Sequence, residues 1–352
     1  MSMLMDKFSL SVGQSIRKFL FIGLICCLNY THAHPSWGIA VDDERNIYFA
    51  DILHHDRGSV WRLSSEGKLE LLFQDFHAHN VSLDANYNLV TAHGEMDEHF
   101  MISLNKDGSI DTLFNTNDYK KFNGGCCAYS PKNEIVFSAE HYLWRLNKNG
   151  KREKLSDHYF EWNQTVYADD NGNYYGPDIA DGKGKLIRID SNGEASVIAT
   201  DLITKLERPY DKHADVLMGI TKGCDGYMYI AELAGQRIIK ILEEGKTQDF
   251  YISEGDWVPT GIDFFSGDAY ILEYKEKNGY AGPRIIKIDE SGNKSEIFNY
   301  DEYEEGNAAP LIDKNKGPTN WWLYSFLVLL LLVITLGIFR LKNHRHSEVK
   351  AE

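Results

Sequence analysis

One unit of about forty residues occurs six times along the chain, and this repeat restricts the fold more than any other feature of the sequence. The segment WGIAVDDERNIYFAD (37–51) aligns with HNVSLDANYNLVTAH (79–93) over its whole length, with Asp42 over Asp84. QTVYADDNGNYYGPD (164–178) fits the same frame without a gap. The other copies, with shorter or shifted turns, are 127–140, 218–232 and 260–273.

Each copy continues into two further alternating segments, such as SVWRLSSEG and KLELLF after the first. Runs of period two that are broken by Asn-Gly, Asp-Gly or Glu-Gly indicate antiparallel strands joined in a meander. The ends of successive second strands are 38 to 54 residues apart in the chain. We therefore predict an all-β fold, a six-bladed β-propeller of four-stranded antiparallel blades. The repeat begins and ends in phase and so shows no sign of an exchanged strand. The sequence leaves open whether the segment around residue 300 closes blade one or whether blades one and six simply pack together.

The two ends of the chain lie outside the repeats. Basic residues followed by the apolar run FLFIGLICCL predict a signal peptide, with an uncleaved signal anchor as the alternative. The run WWLYSFLVLLLLVITLGIF has nineteen residues without a charge, enough to span a bilayer as a helix, and basic residues follow it. We expect a single-pass type I membrane protein with an extracytoplasmic propeller, whether periplasmic, extracellular or lumenal. The predicted segments are a signal peptide (1–33), a propeller (34–300), a polar linker (301–320), a transmembrane helix (321–339) and a cytoplasmic tail (340–352).

Charge and cysteine content exclude some classes of protein. A net charge of −15 argues against sequence-independent binding of nucleic acid, which needs a basic surface. Three cysteines, Cys126, Cys127 and Cys224, follow the predicted signal peptide, so full intramolecular pairing is excluded. The adjacent Cys126 and Cys127 form either a strained disulfide ring or two reduced, buried thiols.

The unit GIAVDDERNIYFAD, followed by VWRL, resembles NHL repeats and the wider gluconolactonase (senescence-marker-protein-like) and strictosidine-synthase-like propellers. This resemblance covers residues 36 to about 300. It implies the fold more strongly than an activity, because such propellers include lactonases, lyases and proteins that only bind.

Three histidines in FHAHNVSLDANYNLVTAHGE (76–95) suggest a metal site. If Val81 pairs with Thr91, His79 lies opposite His93, with Cβ atoms about 4.5–5.5 Å apart. Two imidazoles at that distance can bind one ion. The same register places His77 opposite Glu95 on the rim of the blade.

Equivalent positions in the other blades place polar side chains on the same face of a propeller. The approaches to the first strands contribute His34, Asn123, Asn163, His213 and Asp215. The second strands end in Asp51, His93, Glu140, Asp178, Glu232 and Glu273. Because carboxylates recur there in almost every copy, a turn-capping role is the alternative to ligand binding. The remaining histidines are predicted to be surface residues away from this face: His54, His55, His99, His141 and His158.

The resemblance to gluconolactonase-like propellers implies one divalent cation at the centre of this face. Asn163 matches the ligand that starts blade four and Asp215 the ligand that leads into blade five, while Asn123 in FNGG matches a substrate-facing asparagine. The glutamate expected before blade one is missing, and His34 is the nearest candidate. Loss of a carboxylate shifts the preference from calcium toward zinc, copper or another ion that accepts imidazole.

Two functions are compatible with these patterns. In the first, the protein is a metal-dependent, lactonase-like hydrolase or a lyase acting on a small polar substrate. His79, His93, Asn163 and Asp215 would hold the ion, His213 or a nearby carboxylate such as Glu232 would act as general base, and Asn123, Glu95, Glu273 and His34 would contact the ligand. In the second, a propeller on a membrane tether binds a small ligand or a partner protein without catalysis.

Overall fold

The computed structural model describes residues 35–303, apart from 96, 131, 133, 148–149, 180 and 277–279. Within these residues, 24 β-strands form six antiparallel sheets, and each sheet consists of four strands that are consecutive in the chain. The predicted six-bladed β-propeller is therefore confirmed, and none of the six sheets exchanges a strand with another.

The blades follow one another in sequence order. The first three contain β1 (Ile39–Val41), β2 (Ile47–Asp51), β3 (Ser59–Leu63), β4 (Leu69–Gln74), β5 (Val81–Leu83), β6 (Leu89–Glu95), β7 (Glu98–Leu104), β8 (Ile110–Thr116), β9 (Cys127–Ser130), β10 (Glu134–Ala139), β11 (Tyr142–Leu146) and β12 (Arg152–Lys154). The last three contain β13 (Tyr167–Ala168), β14 (Tyr174–Asp178), β15 (Lys185–Ile189), β16 (Ala195–Thr200), β17 (Leu217–Lys222), β18 (Met228–Glu232), β19 (Arg237–Ile241), β20 (Thr247–Ile252), β21 (Trp257–Phe265), β22 (Asp268–Glu276), β23 (Tyr280–Ile288) and β24 (Lys294–Asn299). Two short 3₁₀ helices occur at Glu243–Gly245 and Tyr300–Glu302.

The aspartate and asparagine that mark the repeat close the turn between the first two strands of a blade. Asp42 Oδ1 accepts hydrogen bonds from the backbone N–H groups of Glu44 and Asn46, and its Oδ2 accepts one from the Asn46 side chain at 2.8 Å. Asp84 makes the same bonds in blade two. These bonds satisfy turn backbone that no strand pairs, which explains the recurrence of the two residue types.

The first strands of the blades surround a central channel of about 300 Å³. The ring is closed by packing of blade six against blade one. Val41 N–H donates to Asp263 Oδ2 at 2.9 Å, and the Tyr274 hydroxyl donates to the Ala50 carbonyl at 3.0 Å. Gly261 lies so close to the Trp37 carbonyl that a Cβ atom there would overlap it, so glycine is required at this point of closure.

The hydrophobic core lies between neighbouring blades, where aromatic and branched side chains of adjacent sheets interdigitate. Tyr300 extends this packing beyond the last strand, since it is buried against the first and last blades. Residues 35–303 contain no helix long and apolar enough to cross a bilayer. The predicted signal peptide (1–33), transmembrane helix (321–339) and tail (340–352), as well as most of the linker, lie outside the described residues.

Candidate functional site

A pocket of about 600 Å³ opens where the loops of blades three and four meet, and we call it the asparagine–histidine pocket. Three of the residues predicted from the sequence, Asn123, Asn163 and His213, line it together. The structure adds Glu140, His141 and Trp162 to its walls. Amide, imidazole, carboxylate and indole groups therefore converge on one concave surface, as in sites for small polar ligands.

Asn123 is positioned by a close contact between blades two and three. The next residue, Gly124, has a φ of 77° and presses against Gly94 of β6, so a Cβ on either glycine would overlap the backbone of the other segment. The Asn123 Oδ1 accepts a hydrogen bond from Gly125 N–H at 3.0 Å. This bond uses the amide oxygen and leaves the exposed Nδ2 of Asn123 as a donor for a ligand.

Asn163 has a fixed amide with one unused acceptor. Its Nδ2 donates to the Thr165 carbonyl at 2.9 Å and to the Pro177 carbonyl at 2.8 Å. Its Oδ1 is buried and has no hydrogen-bond partner among the residues that the structure describes. An orphaned buried acceptor is costly, so this oxygen is a candidate contact for a ligand or an ion.

His141 was expected at the surface away from this face, yet it lines the pocket. It forms the two-residue turn between β10 and β11 with Glu140, and both have positive φ, 51° for Glu140 and 69° for His141. Such turns normally carry Asn-Gly, and strained turns of other residues cluster at functional sites. The His141 Nδ1 lies 3.0 Å from the Phe160 carbonyl, which only accepts, so Nδ1 holds the proton and Nε2 keeps its lone pair. The sequence signal for this residue was a Glu-His pair in a two-residue hairpin turn.

The histidines of blade two do not form the predicted pair. Val81 does pair with Thr91, as expected, but the His93 ring is fully buried between Phe76 and Phe100. Its Nδ1 accepts the backbone N–H of His77 at 2.9 Å, so this nitrogen is not available to an ion.

His79 contacts a different histidine from the one predicted. Its Nε2 lies 3.0 Å from the Nε2 of His77, so that one of these nitrogens donates a hydrogen bond to the other, and its ring stacks on Trp37 with centroids 5.1 Å apart. Glu95, expected to face a ligand, lies 3.6 Å from the Arg57 guanidinium. His34 lies outside the described residues.

The two predicted carboxylates of blade five hold a loop and do not line the asparagine–histidine pocket. Both oxygens of Asp215 accept hydrogen bonds from the Arg208 guanidinium, at 2.6 and 2.7 Å. Glu232 is fully buried and accepts bonds from the Thr204 backbone and hydroxyl and from Arg237. Glu232 therefore attaches the start of the segment 201–215 to blade five, and the Arg208–Asp215 pair links the middle of the segment to its end.

Other carboxylates at the ends of second strands have similar structural roles. Glu273, predicted as a ligand contact, is fully buried and is bound by Ser253 and by Arg284. Asp178 accepts the backbone N–H groups of residues 161 and 162. The alternative interpretation of the recurring carboxylates, that they cap turns, agrees with these contacts.

These contacts do not fit the predicted metal centre. Asn163 offers an unused oxygen, but Asp215 is bound by Arg208, and His79 and His93 are bonded to other groups. The described part of the chain contains no group of three or more histidine, cysteine or acidic side chains that could hold an ion. Cys126 and Cys127 are buried free thiols, and Cys224 is an exposed one.

Comparison with solved structures finds other propellers of this type. Virginiamycin B lyase from Staphylococcus aureus has 16% identity and a TM-score of 0.52, covering 76% of this chain and 85% of that one. A catalytically inactive variant of that lyase, in which alanine replaces a histidine, was solved with quinupristin and has a TM-score of 0.51. A calcium-binding regucalcin from Agrobacterium tumefaciens has 12% identity and a TM-score of 0.52, covering 70% of this chain and 84% of that one. A putative gluconolactonase has 12% identity and a TM-score of 0.51, covering 70% and 87%.

No protein-family model and no curated protein sequence matches the chain. The resemblance to gluconolactonase-like propellers is thus confirmed as a similarity of fold. Identities of 12 to 16% show the fold alone. The chain is a six-bladed propeller of the architecture that these lyase, lactonase and calcium-binding proteins share.

Proposed function

We propose that the protein binds a small polar molecule in the asparagine–histidine pocket and acts on it as a hydrolase or lyase of the gluconolactonase type. The observation that carries this proposal is the strained turn that brings His141, with its tautomer fixed, to the same pocket as Asn123 and Asn163. Two residues other than glycine in the left-handed backbone conformation destabilise a hairpin turn. A role in binding or reaction of a ligand would explain why Glu140 and His141 are retained there.

The residues of the pocket match the requirements of acyl transfer or elimination next to a carbonyl. The lone pair on His141 Nε2 can accept a proton from water or from a carbon atom beside the carbonyl. The free Nδ2 of Asn123 can donate to the oxygen on which negative charge develops. The His213 ring packs edge-on against Trp162, with ring centroids 5.4 Å apart. His213 is available as the second group that transfers a proton. The inactive histidine variant of the staphylococcal lyase supports a histidine-dependent reaction on this fold.

Binding of a divalent ion needs a separate experiment, because one of the similar structures is a calcium-binding protein. In this chain, Arg208 occupies the oxygens of Asp215, and Asn163 Oδ1 has no hydrogen-bond partner among the described residues. The reaction proposed here therefore assigns each proton transfer to a side chain of the pocket.

The test is a screen of lactones and esters with the wild-type protein and three variants. His141→Gln is expected to lower kcat/KM by about 100-fold or more, and Asn123→Ala by a similar factor. His158→Gln, which alters a histidine outside the pocket, is expected to change it by less than about twofold. Equal loss in all three variants, or none in His141→Gln, would contradict the proposal.

The same screen separates the possible activities. Incorporation of heavy oxygen from labelled water into the product identifies a hydrolase, whereas an unsaturated product without the label identifies a lyase. Saturable binding with no turnover of any compound would leave the second function, a ligand-binding propeller.

We further propose, from the sequence of the C-terminal segment, that residues 321–339 anchor the propeller to a membrane with its pocket on the extracytoplasmic side. Alkaline extraction of membranes tests this: the full chain should stay with the lipid, and a chain that ends at residue 320 should be released. Release of both would refute the anchor.

A further inference from the structure

A second pocket, of about 640 Å³, lies beside the asparagine–histidine pocket, and we call it the aromatic pocket. It is lined by Tyr159, Glu161, Trp162, Tyr210 and Lys212. Glu161 and Trp162 also line the asparagine–histidine pocket, so the two pockets adjoin. Three of its five lining residues are aromatic.

The aromatic rings are exposed but held in place. Tyr159 is 50% exposed and stacks on His141 with ring centroids 4.6 Å apart. Tyr210 is 37% exposed, its hydroxyl donates to the Ile179 carbonyl at 2.6 Å, and its ring lies against Gly182. Large side chains exposed and fixed around one concavity are typical of a binding surface.

Negative charge surrounds these rings. Glu161 lines the pocket, and the pKa of Tyr210 is raised to about 12 by burial and then by nearby carboxylates, Asp215 first among them. Arg208 neutralises Asp215, and Lys185 neutralises Asp181, the second of these carboxylates. The Glu161 carboxylate, by contrast, forms no ion pair within the described residues.

A cation already lies on the largest ring of the pocket. The Lys212 ammonium group is 4.3 Å from the centre of the Trp162 ring, in the range of a cation–π interaction. Lys212 is exposed and belongs to the segment 201–215, whose start is attached to blade five through Glu232.

We propose that the aromatic pocket binds an alkylated ammonium group of a small molecule, and that Lys212 is a tethered occupant which such a ligand displaces. Aromatic faces and a carboxylate favour a large, weakly hydrated cation over a neutral or anionic group, because the cation loses little hydration there. This site goes beyond the proposed function and does not depend on it. A ligand that filled both pockets would place its cationic end on Trp162 and its reactive end near His141.

The test uses choline as the probe and calorimetric titration of the full-length protein as the measurement. A neutral alcohol in which a tert-butyl group replaces the trimethylammonium group of choline has the same shape without the charge. Choline is expected to bind at least about tenfold more tightly than this alcohol. Equal affinity for the two compounds would overturn the proposal, since shape alone would then explain binding.

Variants test the individual groups. Lys212→Met removes the tethered charge but keeps an unbranched side chain, and we expect it to strengthen choline binding about tenfold. Lys246→Met is the control. Lys246 lies on an exposed turn of blade five, so this change should leave the affinity for choline unchanged. Tyr159→Leu and Trp162→Leu should each weaken binding about tenfold, and Trp162→Phe, which keeps an aromatic face, should weaken it less. Unchanged affinity in Lys212→Met, or no binding of choline by either wild type or Lys212→Met, would overturn the proposal. Because binding is measured and not turnover, these outcomes are independent of whether the protein is an enzyme.

Discussion

Asp263 places a carboxyl group in the central channel, and its substitution tests the electrostatics of the fold. The side chain is half-buried; its Oδ2 accepts the Val41 N–H at 2.9 Å, and its Oδ1 lies 3.5 Å from the Thr221 hydroxyl. No lysine or arginine among the described residues lines the channel. Burial raises the pKa of this carboxyl from 3.8 to about 6, which corresponds to about 3 kcal/mol against the charged form. Because the side chain is partly exposed, this value is an upper limit.

The direction in which Asp263 changes stability with pH follows from proton binding. Between the ordinary pKa of 3.8 and the folded value of about 6, the folded protein holds a proton that the unfolded chain has released. The contribution of Asp263 to stability is therefore most favourable below about pH 4, and it declines as the pH rises to about 6. Asp263→Asn keeps an acceptor for Val41 N–H and removes the charge. We expect this variant to be more stable than wild type by about 1–3 kcal/mol at pH 7.5, and about equal to it near pH 4.

Urea unfolding at both pH values, followed by tryptophan fluorescence, measures the difference. Asp97→Asn is the matched control, because Asp97 is exposed and the same change there should alter the free energy of unfolding by less than about 0.5 kcal/mol at either pH. If Asp263→Asn were less stable than wild type at pH 7.5, the carboxylate would be favourable as a charge, and the reasoning from burial would be refuted.

Three further predictions concern buried or paired groups. Glu232→Gln should lower the free energy of unfolding by about 3–5 kcal/mol, because it breaks a buried ion pair. Trypsin should then cut the segment 201–215 faster than in wild type. An unchanged cleavage rate would contradict the role of Glu232 in anchoring this segment. Arg208→Gln removes the guanidinium group from both oxygens of Asp215. Calorimetry should then show calcium binding at least about tenfold tighter than in wild type, and equal affinity would show that the arginine does not block the carboxylate. In native protein at neutral pH, iodoacetamide should modify the exposed Cys224 but not Cys127, because burial raises the pKa of the Cys127 thiol. Peptide mass spectrometry should find Cys127 modified only after the protein has been unfolded. Equal rates of modification of the two cysteines in native protein would refute the burial of Cys127.

Much of the architecture was predictable from the sequence because local signals repeat in it. Alternation of period two predicted the strands, and Asp42 and its equivalents predicted the turns, since an aspartate that bonds the backbone two and four residues ahead needs no tertiary partner. The pairing of Val81 with Thr91 followed from the same turn geometry. Asn123 and Asn163, which the sequence predicted on one face, line one pocket, because each lies shortly before a first strand and neighbouring blades bring these positions together.

The orientation of individual side chains depended on contacts between blades. His93 lies at the predicted position of its strand, yet Phe76 and the N–H of His77, both from outside that strand, set the direction of its ring. His141 is exposed, as predicted, but its position in the pocket depends on the Phe160 carbonyl, which comes from another part of the chain.

The sequence by itself therefore determined the blades, their number and their order, since these depend on hydrogen bonds between residues close in the chain. Only the tertiary structure decided which polar groups are available to a ligand. Asp215 shows the reason: whether a carboxylate binds an ion or an arginine depends on which charged group lies within about 3 Å of it, and local sequence patterns do not specify that distance.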